Sequence, residues 1–472
     1  MSARDAAGYI PPPAMSLLSP SRQPVHFVGI AGAGMSALAE LLHRRGARVT
    51  GCDANPANAP DLHRLGISVV AGHDPAHADA AGALVVTSAM PREHPELVRA
   101  RERGIPVIRR AEALAEAISG GEVVGIAGTH GKTTTTVMTT EALRSAGLEP
   151  TGIAGGRVGA WNGNLSEGAD RLFVVEADEY DRSFLALTPT VAVVTNVEAD
   201  HLDIYTDLDD IRGAFASYLA PARAIVLCDD DAGARSIPLP SGPQIIRYGI
   251  RSSDARLRAE SLRVDDGVTS FTVQFDDERV CEVRLQVPGE HNVLNALAAL
   301  GSGLALGADP AALARGLGAF TGVERRFQRI GESAGVLVVD DYAHHPTELR
   351  ATLAAARAAF PTRRIVAAFQ PHLFTRTRDF AREFGEALGL ADAAYLTEIY
   401  PAREQPIAGV TSELIANAAA AAGHPVAWRG VRDELAAALA GTARTGDVVL
   451  TMGAGDITRT GPELLVLLGA RA

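Results

Sequence analysis

The sequence predicts an α/β protein of three domains, each a mostly parallel sheet with helices on both faces. Three observations predict this. The chain has 472 residues, room for about three domains at roughly 150 residues each. Its strands read as short unbroken apolar runs, such as residues 172–175 and 191–194, a pattern that suits strands covered on both faces. These runs alternate with helical stretches and end in polar or glycine-rich segments, where open α/β sheets hold their ligands.

The elements follow in order. Residues 1–22, with Pro11-Pro12-Pro13, read as a flexible tail. They lack the basic start and apolar core of a signal peptide. An N-terminal domain is expected over 23–117. Its first strand, 25–28, runs into Gly29-Ile30-Ala31-Gly32-Ala33-Gly34 and then a helix through Leu42. A strand over 47–50 leads to Asp53, and another over 83–86 leads to Thr87-Ser88. This is a βαβ nucleotide-binding layout. A central domain over 118–322 opens with strand 123–127 and a threonine-rich helix after Lys132. Residues 251–287 alternate as antiparallel strands, and a helix starts near His291. A C-terminal domain over 323–472 has strands at 336–339, 365–369 and 447–452. They end at Asp340-Asp341, Gln370-Pro371-His372 and Gly453-Ala454-Gly455-Asp456.

Composition excludes some partners. A formal charge of −12 argues against a nucleic acid or a membrane surface, which want basic patches, but leaves room for local cationic loops that bind anions. Cys52, Cys228 and Cys281 are odd in number and widely spaced, with no metal-ligand pattern. They read as reduced thiols of a cytoplasmic protein. No apolar run reaches the ~20 residues needed to cross a bilayer.

Among 44 lysine and arginine residues, Lys132 is the one lysine. Arginine is a planar fork and lysine a compact point charge, so the surroundings of residue 132 call for an ammonium in a tight space. Lys132 lies in Gly125-Ile126-Ala127-Gly128-Thr129-His130-Gly131-Lys132-Thr133-Thr134, between a strand and a helix. Glycines let N–H groups approach phosphate oxygens, and the helix N-terminus adds positive potential. Lys132 would neutralise the outer phosphates of ATP, and the Thr133 hydroxyl would ligate Mg²⁺. The spacing is not the ordinary phosphate loop, which wants glycine where Ile126 stands.

Nine segments, in order, resemble the Mur ligases: HFVGIAGAGMSALAE from His26, GIAGTHGKTTTT from Gly125, VVEADEYDRSF from Val174, TNVEADHLDIY from Thr195, PGEHNVLNALAA from Pro288, GVERRFQ from Gly322, VDDYAHHPTE from Val339, FQPHLFTRTRDF from Phe369 and MGAGDI from Met452. The resemblance implies a UDP-sugar domain, a phosphate-loop ATPase-like domain and a C-terminal Rossmann-like domain. It implies an ADP-forming amide ligation through an acyl phosphate, with ATP and Mg²⁺. The GIAGAGM and DDYAHHPTE segments favour the type that joins L-alanine to UDP-N-acetylmuramate for peptidoglycan synthesis, as a monomer or homodimer. A sister ligase adding another amino acid or a peptide is the first alternative, and a dinucleotide-binding redox or sensor protein the second.

The resemblance also assigns residues. Glu176 would be a metal-ligating glutamate and His201 would complete a second metal site. The plainer alternatives are a solvated strand end and a turn histidine. Several relatives carbamylate a lysine there, which this chain cannot do, its one lysine being in the phosphate loop. Asn292 and Asn295, a helical turn apart, would approach the base side of ATP, unless Asn292 is simply a helix cap. Arg326 would reach ATP phosphates and Asp341 the ribose, so that domain closure completes the site. His344 and Arg376 would take the amino acid, Arg376 pairing with its carboxylate, unless His344 is a polar helix cap. Gly29, Gly32 and Gly34 would cradle the UDP diphosphate, with Asp53 facing a ribose hydroxyl and Ser88 near the same crevice. Ala31 stands where relatives carry glycine.

Overall fold

A computed structural model describes residues 17, 23–88, 90–200, 204–265, 267–402 and 404–470. The chain divides into two compact units. One comprises Met1–Glu260, Val273–Glu282 and Leu294–Leu317, and the other Ser261–Thr272, Val283–Val293 and Gly318–Ala472. The three sheets of the expected α/β organisation are present. The tail over 1–22 lies, except for Leu17, outside the described residues.

In the first unit, a five-stranded sheet has the order Ser68–Ala71, Val49–Asp53, Val25–Val28, Ala83–Val86, Val107–Arg109. Every pairing is parallel. The chain goes out from the central strand in one direction, returns, and goes out in the other. Crossovers therefore diverge beyond Val28 and Val86, and a ligand crevice opens at that switch point. Phe27 is fully buried on one face with Met35, Leu38 and Leu42 of the helix Ala33–Arg44. Burying a phenylalanine side chain contributes about 1.5–3 kcal/mol. Val28 and Cys52 point to the other face, against Leu97 and Ala100.

A ten-stranded sheet carries the phosphate loop. Its strand Glu122–Ala127 is central, with parallel neighbours Val191–Val194 and Leu172–Glu176. The expected alternating region forms three consecutive strands, Leu257–Asp265, Val268–Phe275 and Glu278–Leu285, at one edge. Asp276 and Asp277 both take positive φ, the signature of a two-residue turn that sends the chain straight back. Asn164 Nδ2 donates to Ala33 O at 3.0 Å, and Arg45 lies over the Phe173 ring at 5.0 Å. These contacts fix the glycine loop of the first sheet against this one.

The second unit is built on six strands in the order Gln328–Ser333, Val336–Asp341, Val448–Met452, Ile365–Phe369, Ala393–Thr397, Trp428–Gly430. The first pairs antiparallel and the rest parallel. Both faces are covered, one by Leu349, Leu353 and Phe384, the other by Leu435, Leu439 and Leu464. Helix Glu290–Ala305 begins one residue before His291, as expected from sequence.

Candidate active site

The phosphate loop is shaped by three glycines, each for a different reason. Gly131 caps the helix Lys132–Ser145 with φ +82°, and a Cβ there would stand 2.7 Å from Asn295 Oδ1. Gly128 has φ +135°, and a Cβ would collide with Thr195 Oγ1. Gly125 lies inside the strand, where a Cβ would collide with the Tyr218 hydroxyl. Packing thus gives a reason for glycine at this position.

A segment after strand Val191–Val194 holds the loop; it lies within the resembling stretch from Thr195, but the sequence assigned no role to Thr195, Asn196 or Glu198. Thr129 N donates to Asn196 O at 3.0 Å, and His130 N to Asn196 Oδ1 at 2.8 Å. Thr195 Oγ1 and Asn196 Nδ2 both donate to His130 O, at 2.7 and 3.1 Å. Glu198 N donates to Thr129 Oγ1 at 3.0 Å. Thr129 and His130 therefore spend their N–H groups inside the protein. Thr135 N makes the first intrahelical bond, to Gly131 O. The N–H groups of Lys132, Thr133 and Thr134 occupy the first turn, the positions that have no acceptor within a helix.

Lys132 Nζ donates to Gly128 O at 2.8 Å and to both Glu179 oxygens, at 2.7 and 3.0 Å. Asp178 lies 3.9 Å away. Burial alone would lower the ammonium, but Glu179 and Asp178 outweigh it and hold Lys132 above the usual lysine range. Glu179 is a second residue the sequence reading missed. Its carbonyl accepts from the buried Tyr205 hydroxyl at 2.6 Å.

Glu176 ends its strand beside the loop. Its carboxylate accepts from Gly155 N, and the Thr133 hydroxyl bonds to it. Burial raises its pKa, against the pull of Gly155, Thr133 and Lys132. Glu176 and Thr133 together are hard oxygen donors of the kind Mg²⁺ prefers. The expected ligand His201 lies outside the described residues. Asn295 accepts from Thr135 Oγ1 at 3.1 Å, joining its helix to the phosphate-loop helix.

On the first sheet, Gly29 takes φ +80° and Gly32 caps the helix Ala33–Arg44. A Cβ on Gly34 would press on the Arg110 guanidinium at 3.1 Å. Asp53 ends the strand Val49–Asp53 beside this loop. Its oxygens accept from Ala31 N at 3.0 Å and Asn55 N at 2.8 Å, so it braces the glycine loop. Ser88 is exposed after strand Ala83–Val86.

In the second unit the expected residues gather at strand ends. Arg325 binds Asp340, Gly453 O and Gly455 O, and stands over the Tyr342 ring. Arg326 flanks the same ring at 5.1 Å and lies 3.7 Å from Glu348. Asp341 is buried and accepts from Phe327 N and Ala343 N at 2.7 and 2.8 Å. Burial pushes it up to about 6, against Arg326 and the two N–H groups. His344 Nδ1 lies 3.0 Å from Tyr342 O and 3.1 Å from Glu348. The helix cap is instead His345, which accepts from Thr347 N while Glu348 closes the capping box on helix Pro346–Ala359. The His344 ring meets His372, which stacks on Tyr400. Arg376 is buried in the helix Phe374–Asp379, four residues past His372. Asn292 is not a helix cap either: its amide donates back to Pro288 O at 2.7 Å.

Comparison with known proteins accounts for this set of elements. Three family profiles match in order: "Mur ligase family, catalytic domain" over 24–121, "Mur ligase middle domain" over 126–303 and "Mur ligase, glutamate ligase domain" over 325–455. A UDP-N-acetylmuramate–L-alanine ligase of Streptomyces coelicolor is 47% identical, over 93% of this chain and 96% of that one. One from Kineococcus radiotolerans is 47% identical over 95% and 96%. The crystal structure of UDP-N-acetylmuramate-alanine ligase from Thermotoga maritima superposes with a TM-score of 0.83 at 29% identity, covering 96% of this chain and all of that one. A murein peptide ligase from Psychrobacter arcticus gives 0.70 at 27% identity, over 95% and 99%.

Proposed function

The chain belongs to the Mur ligase family, and from that premise we propose the reaction it performs: ADP-forming ligation of L-alanine to the carboxylate of UDP-N-acetylmuramate, a step in peptidoglycan precursor synthesis. One observation carries the chemistry. A loop ending in the helix first turn of Lys132, Thr133 and Thr134 sits beside an ammonium and a strand-end carboxylate, Glu176.

The muramate carboxylate attacks the γ-phosphorus of ATP, the bond to the β-phosphate oxygen breaks, and ADP leaves. The amine of L-alanine then attacks the acyl carbon, expelling phosphate and losing its extra proton. The first step brings anion to anion, so positioning and charge neutralisation supply most of the rate. Lys132 and the helix N-terminus offer that charge. Mg²⁺ held by Glu176 and Thr133 would add to it. Gly29, Gly32 and Gly34 are the candidates for the UDP diphosphate, with Asp53 bracing their loop. His344 and Arg376 are the amino-acid candidates, and Arg326 a further source of phosphate-binding charge. ATP and a nucleotide sugar as substrates argue for a cytoplasmic reaction, as do three free cysteines. No described helix is long and apolar enough to cross a membrane.

The test is ADP release in Mg²⁺ buffer with UDP-N-acetylmuramate and each of a panel of amino acids, with product mass measured. L-alanine should give the dominant product. Equal product from glutamate, glycine or a peptide would overturn the substrate assignment.

A further inference from the structure

Away from the phosphate loop, the five-stranded sheet buries a cluster that the ligation chemistry does not use. His26 comes from strand Val25–Val28, Cys52 from Val49–Asp53, His77 from the short helix Ala76–Asp79 and Glu96 from the first turn of helix Pro95–Arg103. Their ligand atoms all lie within 4.8 Å of one another. Cys52 Sγ is 3.2 and 3.4 Å from the two Glu96 oxygens. His77 Nδ1 is 3.1 Å from Glu96 Oε1, and His26 Nε2 is 3.6 Å from Glu96 Oε2. Donors at about 2.0–2.3 Å on a tetrahedral zinc stand about 3.3–3.7 Å apart, so the side chains already hold nearly that spacing.

The hydrogen bonding points the same way. His26 is 4% exposed, and its Nδ1 lies 2.9 Å from Thr50 Oγ1. Its other ring nitrogen, Nε2, is buried and has no hydrogen-bond partner among the described residues, though it faces the Glu96 carboxylate. One ring nitrogen fixed by a neighbour and the other aimed inward is how metal-ligating histidines are oriented. Glu96 is fully buried, and Asp74 N donates to its Oε1 at 3.1 Å, fixing the carboxylate as well.

We propose that His26 Nε2, Cys52 Sγ, His77 Nδ1 and Glu96 form a transition-metal site of the class that binds Zn²⁺. Two imidazoles, one thiolate and one carboxylate are a borderline-soft set. They suit Zn²⁺ and disfavour Mg²⁺ or Ca²⁺, which want all-oxygen shells. Charge closes too: a dication with one carboxylate and one thiolate is neutral, which a buried pocket tolerates. On binding, the Cys52 S–H bond breaks, its proton goes to solvent and a sulfur–metal bond forms, with no change of oxidation state. His73 Nδ1 lies beside the cluster, 3.3 Å from Cys52 Sγ and 3.5 Å from Glu96. The site would brace the glycine loop, because Cys52 O accepts from Gly29 N at 2.8 Å and Ile30 N at 3.1 Å. Spacing along the sequence hides it, since each ligand comes from a different element.

The experiment uses the full chain, stripped with a chelator and titrated with Co²⁺ in excess Mg²⁺, which fills hard-oxygen sites. One equivalent should bind with a thiolate-to-cobalt charge-transfer band, and Zn²⁺ should displace it. Cys52→Ser should abolish the band, and both Cys52→Ser and His77→Gln should weaken binding at least about 100-fold. Cys228→Ser and Cys281→Ser should keep both band and stoichiometry. A wild-type chain that shows no thiolate band, or a Cys52→Ser variant that binds as tightly as wild type, overturns the proposal.

Discussion

Replacing Lys132 separates two roles carried by one side chain. Its ammonium sits 2.7 Å from Glu179, a carboxylate only 3% exposed, and 2.8 Å from Gly128 O. Lys132→Met removes the ammonium from beside that carboxylate. Breaking a buried pair from one side costs about 3–5 kcal/mol, a large share of the 5–15 kcal/mol that typically holds a domain folded. Lys132→Arg keeps the charge, so its stability cost should stay below about 1.5 kcal/mol. A planar fork cannot reproduce a point charge placed between Gly128 O and Glu179, however, and turnover should fall at least about 10³-fold. Urea midpoints read the first effect and ADP release the second. The methionine variant should lose both and the arginine variant turnover alone. Near-normal turnover by Lys132→Arg would refute the need for a compact ammonium. A Lys132→Met variant as stable as wild type would refute the role of the pair in neutralising Glu179.

Other predictions follow the same contacts. The Tyr218 hydroxyl is buried without a hydrogen-bond partner among the described residues and presses on Gly125, so Tyr218→Phe should be neutral or stabilise by up to about 1 kcal/mol. Gly125→Ala should cost about 1–3 kcal/mol, and the double variant should recover at least about 1 kcal/mol of that; strict additivity would disprove the clash. Asp341 titrates near 6 when folded and near 3.9 unfolded, so folding favours its protonated form. Its contribution is therefore full below pH 4, is lost as pH rises from about 4 to about 6, and amounts to at most about 3 kcal/mol. Urea midpoints of Asp341→Asn should lack that slope relative to wild type; parallel curves would contradict it. Asp53→Ala frees the Ala31 and Asn55 N–H groups and should raise the KM for UDP-N-acetylmuramate at least about tenfold, leaving the KM for ATP within about twofold. A change confined to ATP would argue that Asp53 does not act through the glycine loop.

Much of the fold is legible in sequence because parallel strands buried on both faces must be apolar throughout. Residues 123–127, 172–175 and 191–194 declare themselves in this way, and the glycines and lone lysine mark the loop between strand and helix. What stays hidden are partners far apart along the chain. Nothing near Gly125 signals Tyr218, and nothing near His130 signals Asn196, yet these pairs decide why one residue is glycine and where the other's N–H goes. The same limit hid Glu179, which reads as one more acid in a run that also holds Glu176 and Asp178. Local rules mislead by one residue in Ala343-His344-His345-Pro346. Either histidine could cap the helix, and only the bond from Thr347 N selects His345. Asp53 ends a strand at the spacing of a ribose-binding acid, and the backbone donors its oxygens also accept from lie two and twenty-two residues away.

These long-range bonds explain how the phosphate loop works as an anion cradle. A loop of flexible glycines would scatter its N–H groups, and ordering them on binding would consume affinity. Asn196 takes the N–H groups of Thr129 and His130, and Thr195 and Asn196 bond the His130 carbonyl, so these bonds hold the loop in shape without a phosphate. With those groups spoken for, the donors left to an anion include the first-turn N–H groups of Lys132, Thr133 and Thr134, aligned along the helix axis. Lys132 has three protons, and Gly128 O and Glu179 already accept from it. A triphosphate must therefore compete with Glu179 for the same ammonium. That competition makes Glu179 a tuning residue for nucleotide affinity. It also gives a reason for the single lysine: a short ammonium can pivot between carboxylate and phosphate, whereas a guanidinium locked two-pronged onto Glu179 would have to break both contacts to do so.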